Sequence, residues 1–173
     1  MKDQFFLAQI SMANQLAVSE IITCNDFTSK YCLKLSLAEA KELVETRKEA
    51  LSDNGRIEFG GGIINKIIIE FCDSPYISQC NYTEVLNELV ELFYFYKNEV
   101  LDTLSDDELI KHMKRFFDGP CQGSLELLKD KELQLLSYNV KNGILDFEDL
   151  QFLNYDFYNE PPQYDEDGNI ISY

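Results

Sequence analysis

The chain has 173 residues, with 15 Lys and Arg set against 31 Asp and Glu, for a formal net charge of −16. Hydrophobic residues make up 45% and charged residues 27%, which suits one folded domain and excludes a chain disordered throughout. So large an acid excess argues against a nucleic-acid binder, because neutralising a row of phosphates needs Lys and Arg.

The first residues, Met1-Lys2-Asp3-Gln4-Phe5-Phe6-Leu7, do not continue into the unbroken apolar run of a secretory signal. Gln9, Ser11, Asn14 and Gln15 interrupt it. Phe6, Ile10, Ala13, Ala17 and Ile21 recur every three or four residues, with Leu16 beside them, and predict a helix over 4–24 that Asn25-Asp26 ends. Tyr31, Leu33 and Leu35 alternate with Cys32 and Lys34 and suggest a short extended piece, at most a small β element, near 31–35.

Ser36-Leu37-Ala38-Glu39 has the form of a capping box, in which hydroxyl and carboxylate each satisfy a free backbone N–H. It should open a helix whose inner face is Leu37, Ala40, Leu43, Val44, Ala50 and Leu51, and Asn54-Gly55 should stop it. Residues 56–59 are short and alternating, which suits a strand or an extended entry. After Gly60, Gly61 and Gly62 comes the most apolar stretch, from Ile63 to Cys72. It contains Asn65, Lys66 and Glu70 and is too short to span a bilayer. It reads as a buried helix, with a strand as the alternative because of its isoleucines.

Asp73-Ser74-Pro75-Tyr76 is a turn. Val85, Leu86, Leu89, Val90, Phe93, Tyr96 and Val100 form a wide stripe, broadened by Leu92 and Phe95, and predict a central helix from Tyr82 to about residue 101. Ser105-Asp106-Asp107-Glu108 is a second capping box. Its helix turns Leu109, Ile110, Met113, Phe116 and Phe117 inward, with acids in the first turn and Lys111, Lys114 and Arg115 later, which suits the helix dipole. Gly119-Pro120 breaks it. Ser124 caps a last helix through Leu125, Leu128, Leu133, Leu136 and Val140, ending at Asn142-Gly143.

The five cysteines, Cys24, Cys32, Cys72, Cys80 and Cys121, are odd in number and form no C-x-x-C. With His112 the only histidine, they read as free thiols rather than a disulfide framework or a zinc site. No metal or cofactor is implied.

Residues 144–173 differ in character. They hold eight acids (Asp146, Glu148, Asp149, Asp156, Glu160, Asp165, Glu166 and Asp167), no Lys or Arg, and seven aromatics. Half of the net charge therefore lies in this segment. Asp165-Glu166-Asp167-Gly168 resembles the centre of a calcium loop, but the closing glutamate would fall beyond Tyr173, so a hairpin turn at Asp167-Gly168 fits better. The expected organisation is a mainly α domain of five to six helices over 1–143, followed by an acidic, aromatic extension over 144–173 that ends in a hairpin.

Arg56-Ile57-Glu58-Phe59-Gly60-Gly61-Gly62-Ile63, Phe71-Cys72-Asp73-Ser74-Pro75-Tyr76-Ile77, Asn81-Tyr82-Thr83-Glu84, Phe93-Tyr94-Phe95-Tyr96-Lys97-Asn98-Glu99, Asp106-Asp107-Glu108-Leu109 and Cys121-Gln122-Gly123 occur in this order. The series, from Cys24 to Leu128, resembles a small uncharacterised bacterial family, a domain of unknown function known mainly from clostridia-type anaerobes. The resemblance implies a cytoplasmic bacterial protein of similar size and carries over no activity.

Candidate sites are few. Arg47 falls on the apolar face of its helix and requires a carboxylate, with Glu58 and Glu70 the nearest by sequence. Gly60, Gly61 and Gly62 before a helix could approach an anion, although the Lys-Ser/Thr of a phosphate loop is missing. These residues, with Asp73 and with Tyr96 or Lys97 opposite, outline a conceivable anionic-ligand site. Tyr94, Tyr96, Lys97 and Glu99 form a polar aromatic end to the central helix, and His112 with Cys121 is a conceivable dyad. The favoured expectation is a non-enzymatic cytoplasmic protein that presents an acidic surface and its tail (Tyr155, Phe157, Tyr158, Tyr164, Asp165 and Asp167) to a basic protein partner, with no membrane or nucleic-acid contact. The alternative is a small-molecule binding domain or enzyme around Arg47, Glu58 and the glycine turn.

Overall fold

A computed structural model describes residues 2–58 and 62–144, together with the backbone of 163–164 and 170–172. Two compact units are resolved, Met1–Tyr138 and Asn139–Tyr173. The first is built of α1 (Lys2–Thr23), the short α2 (Asn25–Thr28) with a 3-10 turn at Ser29–Tyr31, α3 (Leu37–Asp53), α4 (Gly62–Phe71), α5 (Tyr82–Glu99), α6 (Asp106–Asp118), α7 (Leu125–Leu127) and the first residues of α8 (Leu133–Lys141), whose last turn belongs to the second. The protein is thus mainly α, as its periodicity predicts.

Both capping boxes form. Ser36 accepts from the Glu39 N–H at 3.2 Å while Glu39 accepts from the Ser36 N–H at 2.7 Å, and Ser105 and Glu108 repeat the exchange. At the end of α3 the Arg56 N–H donates to the Leu51 carbonyl at 2.8 Å across Gly55, whose φ of 63° places it in the left-handed region. The segment after the glycine turn is helix α4, with Ile63, Ile64, Ile67, Ile68 and Phe71 buried.

Helix α5 is the centre of the core and packs against α3, α4, α6 and α7. Its Leu89, Val90, Phe93 and Tyr94 are wholly enclosed. Phe95, expected to widen the buried stripe, is exposed instead, because neighbours cover only part of the helix circumference. A π-helical turn over Leu128–Glu132 joins α7 to α8. Leu128 and Leu133 are five residues apart, a spacing that misaligns on an α-helix, and the wider turn brings both into the core.

Some details differ from the pattern read in the sequence. Residues 31–35 form no strand. Leu33 and Leu35 point inward, but the backbone here bonds to side-chain amides rather than to a second strand: Asn25 exchanges two bonds with Leu35, each 2.8 Å, and Gln79 exchanges two with Lys34 at 2.8 and 2.9 Å. Residues 56–58 are likewise irregular. On α1 the buried residues include Ala17, Val18 and Ile21, whereas Ile10, Ala13 and Leu16 are exposed. Leu37, expected inside, is also exposed.

In the second unit, α8 closes at Gly143 (φ 75°), where the Ile144 N–H donates to the Asn139 carbonyl at 2.9 Å. Farther on, β1 (Gln163–Tyr164) pairs antiparallel with β2 (Ile170–Ser172), Gln163 opposite Ser172 and Tyr164 opposite Ile170, consistent with the hairpin read from the sequence. The expected turn itself, Asp165 to Asp167 with Gly168, lies outside the described residues, as do Tyr155, Phe157 and Tyr158.

Candidate functional site

Cations enclosed in the helical body locate its polar chemistry. Arg47 follows Leu43 by four and Val44 by three, so helical geometry carries it to the inner face of α3, where it is 7% exposed. Its Nε donates to the Tyr94 hydroxyl at 3.2 Å, and that hydroxyl donates to Glu58 Oε2 at 2.7 Å. The guanidinium Nη2 stands 3.7 Å from the same carboxylate oxygen. Burial, reinforced by the Glu58 carboxylate, raises Tyr94 above the ordinary tyrosine range, so the phenol stays protonated and donates. Arg47 and Glu58 both line a groove of about 450 Å³ beside α1, with Ile10, Ala17 and Ile57.

Next to this cluster in the chain, Arg56 holds Asp102 with both terminal nitrogens, at 2.8 and 3.2 Å, and donates to Asn98 Oδ1 at 2.7 Å. The Arg56 guanidinium keeps Asp102 below the usual carboxylate range. Lys97, 6% exposed, meets Asp106 at 3.0 Å and Asp102 at 3.8 Å and donates to the Leu104 carbonyl. Leu101 and Asp102 take φ values of 53° and 56°, a left-handed conformation costly for side-chain-bearing residues. Lys114 bridges Asp73, at 2.9 Å, and Asp118, which also accepts from Ser74 Oγ. The Tyr96 hydroxyl donates to the Lys129 carbonyl at 2.5 Å, and burial pushes its pKa up to about 12.

The sequence-derived ligand set is therefore only partly assembled. Arg47 and Glu58 meet, and Lys97 connects toward them through Asp102 and Arg56. Asp73 and Tyr96 belong to other clusters. Gly62 opens α4, while Gly60 and Gly61 lie outside the described residues. Tyr94 is the member that sequence grouping misassigns. It sits two residues from Tyr96 on α5, so the two rings leave the helix in widely different directions. The sole sequence signal for its role is that Arg47 needs a polar partner.

His112 and Cys121 show no activation. Burial, with Arg115 adding and Glu108 opposing, lowers the His112 pKa, and burial pushes the Cys121 thiol up to about 12, away from a thiolate. The cysteines are free thiols. Among the described residues, no group of three His, Cys, Asp or Glu side chains is placed to hold a metal.

Two surfaces complement this interior. Glu39, Glu42, Glu84 and Glu88 line a groove of about 480 Å³ between α3 and α5, where Thr83 donates to Glu39 at 2.8 Å and Asn87 to Glu42 at 2.9 Å. Helix α1 leaves apolar side chains uncovered, with Leu7 64%, Ile10 39%, Met12 70% and Leu16 62% exposed. It flanks a groove of about 950 Å³ against α3, lined by Leu7, Ile10, Val18, Ile22, Leu37 and Val44 among others. No helix among the described residues is long and apolar enough to cross a membrane.

The described body is an all-α domain whose internal cations are neutralised by its own carboxylates. A family model described as "Family of unknown function (DUF6323)" matches residues 20–146, and the chain belongs to that family. No curated protein and no solved structure matches the chain.

Proposed function

We propose that the chain is a non-enzymatic interaction protein of the bacterial cytoplasm. The observation that carries this reading is the exposed apolar surface of α1, in a body whose buried Arg47 and Lys97 and half-buried Lys114 are each matched by carboxylates. Ion pairs of this kind hold elements in register and leave little charge for a substrate. Large uncovered apolar surface, by contrast, characterises sites where another macromolecule docks. The acid excess adds long-range steering for a basic partner, and the four glutamates between α3 and α5 are one place where its Lys or Arg side chains would be received. The acidic, aromatic residues of 144–173 extend the same chemistry.

The test is capture from a lysate of the native host at about 0.05 M and about 0.5 M salt, where exposed charge pairs are strongly screened at the higher value. Three full-length forms are compared: the natural chain, a Leu7→Glu/Leu16→Glu chain, and a chain with Tyr155, Phe157 and Tyr158 replaced by Ser. A partner lost with either variant supports the reading. Identical recovery by all three, without salt sensitivity, counts against it.

A second reading has one observation behind it. The Arg47 guanidinium stands 3.7 Å from Glu58, beside a groove, so a small carboxylate or phosphate could replace Glu58 on it. Thermal-shift titration with inorganic phosphate and small dicarboxylates decides it: stabilisation that Arg47→Met abolishes favours an anion site, and its absence removes that reading.

A further inference from the structure

We propose that the exposed strip of α1 is a self-association face, on which α1 of a second copy of this chain packs antiparallel about a two-fold axis. This rests on reading α1 as an interaction surface and adds the identity of the occupant.

Charge selects that occupant. Between Asp3 and Glu20, α1 carries no charged residue, while α3 beside it carries Glu39, Lys41, Glu42, Glu45, Lys48 and Glu49. Two copies at −16 each repel wherever their acids face one another, and the neutral strip is a surface on which they meet without that cost. A strongly basic partner gains little there, because the strip itself carries no carboxylate and the groove beside it sets Lys41 among Asp26 and Glu45. An anionic membrane gains nothing either, since helices lying on such surfaces carry Lys or Arg along their polar side.

Shape agrees with charge. Leu7 and Ile10 face the α1–α3 groove, whereas Met12 and Leu16 are exposed without lining it, so apolar surface wraps around more than one side of the helix. A helix of that pattern is normally covered on those sides. Its 22 residues make a rod about 33 Å long. An antiparallel pair also sets the helix dipoles head to tail and makes the contact self-complementary and closed.

Sedimentation velocity on the full chain, from about 1 to about 100 μM, tests this at about 0.05 and about 0.5 M salt. The expected result is twice the 20.1 kDa mass at the upper concentrations. The dissociation constant should fall at least about threefold at the higher salt, because screening weakens the repulsion between copies. Leu7→Glu and Leu16→Glu should remain monomeric with an unchanged circular dichroism spectrum and melting temperature, as both positions face solvent. A natural chain that stays monomeric at about 100 μM in both salts overturns the proposal, as do variants that dimerise like it. A monomer whose α1 variants alone lose a host protein, or lose binding to phosphatidylserine vesicles, overturns self-association while leaving α1 an interaction surface in the first case and a membrane contact in the second.

Discussion

Asn25 holds Leu35 by both of its backbone polar groups: the Leu35 N–H donates to Oδ1, and Nδ2 donates to the Leu35 carbonyl, each at 2.8 Å. One side chain thus does for this segment what a neighbouring strand would do. It also ties the residues before α3 to the chain just after α1.

Asn25→Ala should therefore destabilise the fold by about 2 kcal/mol, since two partly buried backbone groups lose their partners together. Asn25→Asp should cost nearly as much, because it retains the acceptor but removes the donor. Urea unfolding of both variants measures this, and a loss below about 0.5 kcal/mol for Asn25→Ala would show that water replaces the amide.

The Arg47 cluster predicts an asymmetry. Glu58→Gln leaves an enclosed guanidinium without its carboxylate and should cost roughly 3 kcal/mol. Arg47→Met/Glu58→Gln should recover most of that loss, because the stranded charge is gone. Equal losses for the single and double variants would show that the cluster contributes through packing alone.

Stability should fall on mild acidification through His112. Its folded pKa lies below the ordinary value near 6.5, so the unfolded chain binds the proton more readily. That contribution is fully present above the unfolded pKa and is lost as pH falls through the folded one. Asp102 behaves alike at lower pH, since Arg56 holds its pKa below the usual carboxylate value and its contribution fades below about 4. Protonation of the many surface acids works the other way by relieving repulsion. The His112 part is isolated as the difference between the natural chain and His112→Gln in denaturant midpoints between about pH 7 and 5.5. A difference that does not change with pH would rule it out.

Leu101 is exposed and left-handed, with φ 53°. Leu101→Gly should raise stability by about 0.5–1 kcal/mol, because relief of the steric cost exceeds the added freedom of the unfolded chain. Thermal melting should show a rise of a few degrees.

Thiol labelling of the native protein should reach Cys32 and Cys80, which are exposed, before Cys72 and Cys121, which are buried with thiol pKa values raised chiefly by burial. Peptide mass spectrometry after brief alkylation gives the order, and early modification of Cys121 would contradict the enclosed core.

Local sequence signals settle much of this fold. Ser36 with Glu39 and Ser105 with Glu108 start their helices from within four residues, and Gly55 and Gly143 end theirs, since such interactions need no distant partner. Arg47's demand for a carboxylate was equally legible, with Glu58 and Glu70 as candidates by sequence. Strand against amide clamp at 31–35, by contrast, depends on Asn25 and on Gln79, the latter 45 residues from Lys34.

By itself, then, the sequence determined helical body, cap positions, acidity and an enclosed arginine, because these follow from residue type and short-range spacing. Tertiary structure alone decided that Tyr94 rather than Tyr96 serves Arg47, that Glu58 rather than Glu70 answers it, and that Ile10 and Leu16 face outward. Periodicity shows which residues share a side of a helix. Whether that side is covered depends on which elements, or which other molecules, come to lie against it.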